Sequence, residues 1–508
     1  MKINQRKGGA TLSYVNMIVG FVVSLISTPI ILRLLGQSEY GLYNLVASVV
    51  AYLGVLNFGF GSAYVRYFSR YKAKEDQEKI ASLNGMFILI FSVLGFIAVV
   101  AGFVLAQYTD IIFGNELTLE ELRKAKILMY VLVLNLGFSF PSIAFTSYIT
   151  ANERFIFQRA IQLLRIFINP FLILTALLLG YGSIGMALAT SVLNLAIEIV
   201  YMLYCLRKLK MKFSFKGIER GLLKEISVFS SFIFINMVID QINWNLDNFI
   251  IGRYQGTAGV AIYAVAATLN NYYRQISSAV SNVFVPRVHR MVADSDDNHA
   301  LTELFTRIGR IQFMLLAMIG SGLVFFGKPF IMKWAGQDYG ESYYVTLLLI
   351  LPVTIPLIQN IGIEIQRAKN MHRFRSVVYF FLALGNLAFS IPLTIRYGAF
   401  GAAAGTALSL LLGNGLIMNL YNHYKVGLNM KHFWKEIMRF IPALLVPVIF
   451  GSFIMNYADL NQGLLLVAFG ILYIGIYLLS MWYLGMNVYE KNLIREPVRR
   501  LFKRDKIH

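Results

Sequence analysis

Four polar side chains share one face of a segment that is otherwise apolar enough to cross a bilayer. The segment runs from residue 226 to 252, and a helix places the four on one side, at i, i+4, i+7 and i+11: Asn236, Asp240, Asn243 and Asp247. A carboxylate near mid-bilayer costs roughly 2.5–3.5 kcal/mol on insertion scales, so each aspartate requires a compensating interaction. The pattern favours a water-filled or protein-lined cavity on that side. The alternative is that an aspartate pairs with a buried arginine and locks two helices together.

The two aspartates allow two functional interpretations. A buried carboxylate could take up a proton or, together with Asn236 and Asn243, bind Na⁺ through oxygen ligands. Alternatively, it could accept hydrogen bonds from the hydroxyl groups of a ligand. We favour Asp240 as a coupling or ion-pairing residue and Asp247, nearer the outer end, as a gate or as the contact to such a ligand. The carboxylates of Glu198 and Glu364 lie toward the ends of apolar segments, where we expect packing or interface roles.

Arginines inside or beside apolar segments are the candidate ligands for an anion. A guanidinium stays charged when buried and can bind a phosphate through two parallel hydrogen bonds. Arg274 stands among asparagine, tyrosine and glutamine in ATLNNYYRQISSAV, and it could instead pair with Asp240. Arg165 precedes Asn169-Pro170, where proline can kink a helix. The two remaining candidates lie near predicted cytoplasmic ends and could simply reach lipid phosphates: Arg66 and Arg159.

Composition places the chain among helical membrane proteins. Hydrophobic residues make up 57% and charged residues 14% of its 508 residues, against roughly 45–50% and 25% in soluble domains. Because lysine and arginine collect between apolar segments, the net charge of +20 is better explained by anionic lipid than by nucleic acid. Cys205 is the single cysteine, which excludes an intramolecular disulfide. No metal-binding spacing, nucleotide loop or hydrolase motif occurs, so we expect neither an enzyme nor a cofactor beyond coupling to H⁺ or Na⁺.

Apolar runs separated by charged or Gly/Pro residues predict an all-α, polytopic membrane protein with about fourteen transmembrane helices. Basic residues recur in alternate loops, which places both termini in the cytoplasm if the number of spans is even. The predicted spans are 11–32, 41–65, 84–107, 127–149, 156–179, 183–206, 226–251, 258–284, 308–327, 343–364, 375–395, 399–421, 437–456 and 463–485.

An internal repeat relates the two halves of the chain. A shift of about 220 residues lays Asn16-Met17 on Asn236-Met237, Gly36 on Gly256 and Tyr43 on Tyr263. Since the offset covers six predicted spans, both halves have the same topology, and the repeat is parallel. The first span is then a cavity wall opposite the seventh, with Asn16 as its polar residue. The predicted divisions are a six-helix lobe (1–210), a basic linker (211–225), a second six-helix lobe (226–424), an additional two-helix hairpin (425–488) and a basic cytoplasmic tail (489–508).

Several motifs resemble one group of membrane transporters. The runs LRLLGQSEYGLYNLVASV, NFGFGSAYVRYFSR and LDNFIIGRYQG…GVAIYAVAATL are similar to the polysaccharide-transport branch of the MOP superfamily. This branch contains the Wzx-type oligosaccharide flippases and is related to MATE exporters and lipid II flippases. The resemblance covers essentially the whole chain. It implies two lobes arranged as a V around a central cavity, alternating access, and an undecaprenyl-diphosphate-linked glycan as substrate.

We therefore predict a flippase in a bacterial or archaeal plasma membrane that serves surface-polysaccharide biosynthesis. Its predicted partners are the lipid-linked glycan, membrane lipids and other polysaccharide-assembly proteins, with no nucleic acid. The alternatives are a MATE-like antiporter of small molecules or ions, for which the inward arginines are unfavourable, and a lipid II-type flippase. A membrane polymerase or ligase would need a long catalytic loop, and the predicted loops are short.

Overall fold

The computed structural model describes residues 4–216, 220–295 and 297–504, and over these ranges it is helical and contains no β-strand. Lipid offers no hydrogen-bond partners, so a helix, which pairs its own backbone groups, is the expected spanning structure. The predicted all-α class is confirmed. The helices are α1 (Gln5–Gly54), α2 (Phe60–Lys72), α3 (Gln77–Gln107), α4 (Thr109–Phe113), α5 (Leu119–Ala151), α6 (Phe155–Leu178), α7 (Gly182–Leu203), α8 (Arg220–Asp294), α9 (Asn298–Trp334), α10 (Ser342–Ile358), α11 (Asn360–Ala368), α12 (His372–Leu410), α13 (Met418–Tyr421), α14 (Met430–Met438), α15 (Ile441–Tyr457), α16 (Gly463–Ser480) and α17 (Val488–Arg504).

The helices are long and apolar enough to make this a multi-pass membrane protein. Within the described ranges, nine helical units could each cross a bilayer, or up to eleven if two bent pairs are each one crossing. The bent pairs are α10 with α11 and α14 with α15, at 40° and 41°. Three units are long enough for two crossings of roughly 30 Å each at about 1.5 Å per residue, with 66, 74 and 53 residues. The count of about fourteen spans stays a prediction.

Three of the long helices turn at a glycine. Gly36 in α1, Gly256 in α8 and Gly398 in α12 have φ of 76°, 69° and 60°, a region that a Cβ atom disfavours. The sequence repeat aligns Gly36 with Gly256. At a slightly smaller offset, YGAFG (from Tyr397) lies on YGSIG (from Tyr181), which aligns Gly398 with Gly182, the first residue of α7, with φ of 55°. At these turns the two halves of the chain therefore share the backbone conformation as well as the glycine.

The second predicted span, 41–65, is not one continuous helix. Between α1 and α2 the backbone forms a short 3₁₀ turn and then passes through Phe58 and Gly59 at φ of 51° and 68°. The Asn57 side chain accepts the Gly59 N–H at 2.7 Å. A Cβ on Gly59 would collide with Ile233, so glycine is required there by conformation and by contact. Apolar composition alone predicts a span and contains no signal for such a break.

Packing divides the chain into two units, Met1–Ala264 with Leu387–Ala402, and Val265–Asn386 with Ala403–His508. In the first, a core of buried aromatic residues joins α2, α3 and α5; Tyr64 in it donates to Asn84. The division falls inside α8 rather than in the predicted linker 211–225. The lobes drawn from the sequence repeat remain a prediction.

In the second unit, one buried arginine connects α9 to the C-terminal helices. Arg310 is 3% exposed, and its Nε and Nη2 donate to the two carboxylate oxygens of Glu490 at 2.6 and 2.9 Å. Its Nη1 donates to the carbonyl oxygen of Glu436 at 2.8 Å. Its guanidinium carbon also lies 4.3 Å from the ring centre of Phe440. The predicted tail 489–508 therefore begins with a helix that is anchored to the membrane domain through Glu490.

We expect Glu490→Ala to destabilise the protein. Removing Glu490 leaves Arg310, which is buried, with only the Glu436 carboxylate as a charged partner among the described residues, 3.3 Å from its Nη1. Breaking a buried ion pair costs up to about 3–5 kcal/mol. The measurement is the thermal midpoint of the purified protein in detergent. Asn492→Ala, an exposed change on the same helix, is the control and should leave the midpoint unchanged. Equal midpoints for Glu490→Ala and the wild type would contradict the anchoring role.

Candidate functional site

The first packing unit contains a polar cavity of about 470 Å³, here called the first cavity. Its wall combines apolar residues of α1 with polar residues of three other helices. Arg165 projects from α6 at one side. The remaining polar lining residues are Asn135, Ser139, Ser142 and Thr146 on α5 and Asn194, Glu198 and Tyr201 on α7. A volume of this size lies within the roughly 300–1,000 Å³ typical of small-molecule sites.

Helical spacing explains why these residues meet. The four on α5 stand at i, i+4, i+7 and i+11, and the three on α7 at i, i+4 and i+7. Each set therefore forms a stripe on one face of its helix. The α5 stripe has the same spacing as the stripe from Asn236 to Asp247, so the sequence contained this signal. Its residues are uncharged, so the signal is weaker than that of the two aspartates on α8.

A second cavity of about 390 Å³ adjoins the first. The two share Arg165, Ile197 and Tyr201. The second also has Arg159 in its wall, whose Nη1 donates to Gln162 Oε1 at 2.8 Å. Two of the predicted phosphate ligands, Arg159 and Arg165, are therefore brought together at adjoining cavities.

The two opposite charges of the first cavity stand apart. Among the described residues, neither Arg165 nor Glu198 makes a hydrogen bond or an ion pair. The interaction between Arg165 and Glu198 is the attraction of opposite charges at a distance, without a hydrogen bond. An ionisable side chain inside a span is costly unless a partner or water satisfies it. Glu198 was expected to pack at a helix end, but it lines the same cavity as Arg165.

Asn16 connects two helices, and its predicted role in a cavity stays a prediction. It is 5% exposed, and its Nδ2 donates to the carbonyl oxygen of Arg159 at 2.9 Å. This bond ties α1 to α6. Asn16 lies in the wall of neither cavity, although it positions the backbone of an arginine that does.

Arg66 lies on α2, outside both cavities. Its side chain is exposed, and its guanidinium carbon lies 4.7 Å from the ring centre of Phe229. One turn further on, Arg70 forms an exposed ion pair with Glu225 at 3.7 Å. The structure therefore gives Arg66 an aromatic contact with the first part of α8.

The polar residues of the stripe on α8 lie in different environments. Asn236 and Asp240 are exposed, whereas Asp247 is 2% exposed and accepts a hydrogen bond from the Tyr263 hydroxyl. This bond spans the turn at Gly256, so Asp247 holds the two parts of α8 together. The side chain of Asn243 lies outside the described residues. The predicted coupling role of Asp240 and the predicted gating role of Asp247 stay predictions.

Arg274 lies on α8 in the second packing unit and is partly buried. Its neighbour Tyr273 is fully packed, with its hydroxyl 2.7 Å from Thr354 Oγ1 and 3.1 Å from the Leu316 carbonyl oxygen. The predicted contact of Arg274 with a diphosphate, and its alternative pairing with Asp240, remain predictions.

A second polar feature of the first unit lies where its helices turn. Glu121 accepts hydrogen bonds from Ser38 Oγ at 2.6 Å and Thr257 Oγ1 at 2.7 Å, beside the turns at Gly36 and Gly256. Glu39 accepts from Lys124 Nζ at 2.8 Å and from the Ser183 N–H at 2.7 Å, at the start of α7. A carboxylate at a helix N-terminus is stabilised by the helix dipole. We call Ser38, Glu39, Glu121, Lys124 and Thr257 the loop cluster.

Comparisons with known proteins agree with this architecture. Residues 6–292 match the family described as polysaccharide biosynthesis protein. The chain is 21% identical over 430 residues to the uncharacterised membrane protein EpsK of Bacillus subtilis (strain 168), covering 81% of this chain and 82% of that protein. It is 19% identical over 412 residues to a putative O-antigen transporter of Shigella flexneri, covering 79% and 94%.

Solved structures share its fold. The lipid II flippase MurJ in an inward closed conformation superposes with a TM-score of 0.71 at 18% identity, covering 94% of this chain and 98% of that one. A multidrug resistance MATE family transporter of the MOP superfamily, in an inward-facing conformation, gives 0.62 at 13% identity, covering 82% and 99%.

The loop cluster predicts a specific cross-link. Ser38 Oγ and Thr257 Oγ1 are 3.3 Å apart, close enough for cysteines at both positions to form a disulfide without large backbone movement. In a Cys205→Ser background, Ser38→Cys with Thr257→Cys should therefore lose its reactivity toward maleimide on mild oxidation. Because Thr257 is buried, labelling is done in denaturant after oxidation; each single cysteine variant is the control and should stay reactive. A double variant that stays fully reactive would contradict this contact.

Proposed function

Because the chain belongs to the family of polysaccharide biosynthesis proteins and has the fold of MOP-superfamily transporters, we propose that it is a flippase for an undecaprenyl-diphosphate-linked oligosaccharide. The proposed setting is a bacterial plasma membrane, with both termini in the cytoplasm. The observation that carries the proposal is the placement of Arg159 and Arg165 at two adjoining polar cavities between membrane helices.

The chemistry of such a substrate matches this wall. Its glycan and diphosphate must cross the apolar region, while the polyprenyl chain can remain in lipid. Arginine suits a diphosphate because its planar guanidinium can donate two parallel hydrogen bonds to phosphate oxygens. Arg165 makes no hydrogen bond or ion pair to a described residue, so its donors are available to a ligand.

Two relatives bear on the substrate class. One is a putative O-antigen transporter, whose name indicates a glycan. The other is a lipid II flippase, whose name indicates a lipid-borne substrate. A lipid II-type substrate would present the same diphosphate to the same arginines. An antiporter for small cations is the second candidate, since Glu198 places a carboxylate in the first cavity. The two arginines are unfavourable for a cationic substrate.

We expect Arg165→Ala to slow translocation of a fluorescent undecaprenyl-diphosphate glycan in proteoliposomes by about tenfold or more, because it removes a charge-assisted contact. Arg154→Ala is the matched control: this arginine begins the same helix, is exposed and lies outside both cavities. Arg274→Ala in parallel tests the prediction for the second packing unit. The proposal fails if the wild type moves a small organic cation but neither the glycan lipid nor lipid II. Separate H⁺ and Na⁺ gradients test coupling.

Alternating access gives a further expected outcome. If the loop cluster must separate during each cycle, the Ser38→Cys/Thr257→Cys disulfide should abolish transport, and dithiothreitol should restore it. The Cys205→Ser background without the pair should be insensitive to oxidation. Transport that continues at the wild-type rate with the disulfide fully formed would show that the loop cluster stays closed throughout the cycle.

A further inference from the structure

We propose that the first cavity binds the sugar attached directly to the diphosphate, with Glu198, Asn135 and Asn194 as the recognition residues. This inference rests on the proposed function, because it takes the diphosphate to lie between Arg159 and Arg165. It assigns the second cavity to the diphosphate and the first to a neutral sugar. Nothing in the pattern of apolar spans indicates such a division.

The composition of the wall is the first argument. The first cavity combines two amides, four hydroxyls, a carboxylate and the Arg165 guanidinium with an apolar side formed by α1. Ser139 Oγ donates to the Leu136 carbonyl oxygen at 2.7 Å, and Thr146 Oγ1 to the Ser142 carbonyl oxygen at 3.2 Å. Since each hydroxyl has one proton, their oxygen lone pairs remain acceptors for a ligand. A sugar supplies hydroxyl donors to match them.

The amides are the second argument. Asn194 Nδ2 lies 3.5 Å from Asn135 Oδ1, at the outer limit of a hydrogen bond. The two side chains are therefore neighbours in the cavity wall and hold each other only weakly. Each amide offers donors and an acceptor, the combination that a ring bearing hydroxyl or N-acetyl groups requires.

The charge of Glu198 is the third argument. Its carboxylate has no hydrogen-bond or ion-pair partner among the described residues, although it lies within a span. Sugar hydroxyls would donate to it in charge-assisted hydrogen bonds. A uronic acid would instead bring a second carboxylate into the same cavity, and like charges at close range repel. In this assignment Arg165, the cation in the same wall, is occupied by the diphosphate, so the Glu198 carboxylate makes the first cavity selective for a neutral sugar.

The surroundings of Glu198 contain few other charges. The titratable residues that line the two cavities are Arg159 and Arg165 on α6 and Glu198 and Tyr201 on α7; the lining residues of α1 and α5 are all uncharged. Arg165 is the cation common to both cavities. Because a diphosphate and its first sugar are covalently joined, their subsites must adjoin, and the shared residues Arg165 and Tyr201 meet that requirement.

Binding of three short-chain probes to the full-length protein in nanodiscs tests the assignment. The probes are farnesyl diphosphate, the same lipid bearing one hexose, and the same lipid bearing one hexuronic acid. In the wild type, the hexose should tighten binding about tenfold relative to the bare diphosphate, the value of one charge-assisted hydrogen bond. The uronic acid should bind more weakly than the hexose.

Glu198→Gln should remove most of the gain in affinity that the hexose gives over the bare diphosphate. It should also improve binding of the probe that carries the uronic acid. The bare diphosphate should bind as well as before or more tightly, because a negative charge near Arg165 is lost. A purely structural role would not produce this exchange of preferences. Asn194→Ala, an uncharged change in the same wall, should reduce the hexose advantage as well. Glu78→Gln is the control, an exposed acid outside both cavities, and should change none of the three constants.

The outcomes separate this inference from the proposed function. Equal affinity of the wild type for the bare and hexose-bearing probes would overturn the sugar subsite, even if Arg165→Ala abolished binding of both. Equal weakening of all three probes by Glu198→Gln, or a new dependence on pH or Na⁺ lost in that variant, would also overturn it and make Glu198 a structural or coupling residue. If no probe bound to the wild type, the proposed function itself would fail.

Discussion

A charge inside the apolar part of a membrane protein has lost the water that solvated it, and it must find compensation within the protein or from a ligand. This chain treats two arginines in opposite ways. Arg310 is enclosed by Glu490, Glu436 and backbone carbonyls, so its compensation is internal and complete. Arg165 stands in a cavity and has no bonded partner within the described part of the chain. The first arrangement fixes helices together, and the second leaves the arginine available to bind.

The need to hydrogen-bond every backbone N–H and C=O group in lipid explains the sharp turns of the fold. Since unpaired peptide groups are not tolerated in lipid, the chain changes direction over very few residues, at glycines that adopt positive φ. The turns at Gly36 and Gly256 then bring Ser38 and Thr257 close enough to share one carboxylate, Glu121. Side-chain hydrogen bonds and ion pairs are concentrated at these turns, where several helices of the first packing unit end together.

The candidate site is formed by polar side chains from several helices. On α5 and α7, polar stripes occupy one face of otherwise apolar helices, and α6 contributes the two arginines. None of these helices forms a binding site alone. Packed side by side, they surround adjoining cavities, one with two cations and one with amides, hydroxyls and a carboxylate. A polar head group that must cross a membrane, with its apolar tail left in lipid, fits this combination.

The sequence by itself determined the membrane class, the helical fold and the repeated glycines at the turns, because composition and periodicity act locally along the chain. It offered four candidate arginines and could not distinguish Arg159 and Arg165, which line the cavities, from Arg66 and Arg274. Only the tertiary structure decided which polar stripe lines a cavity. Spacing shows that residues share a helix face but not what packs against that face, since the neighbour comes from a distant segment. Asp247 is therefore buried against Tyr263, whereas Glu198, expected to pack, lines the cavity with Arg165. The need for glycine at position 59 is likewise set partly by contact, because a Cβ there would collide with Ile233 from far along the chain.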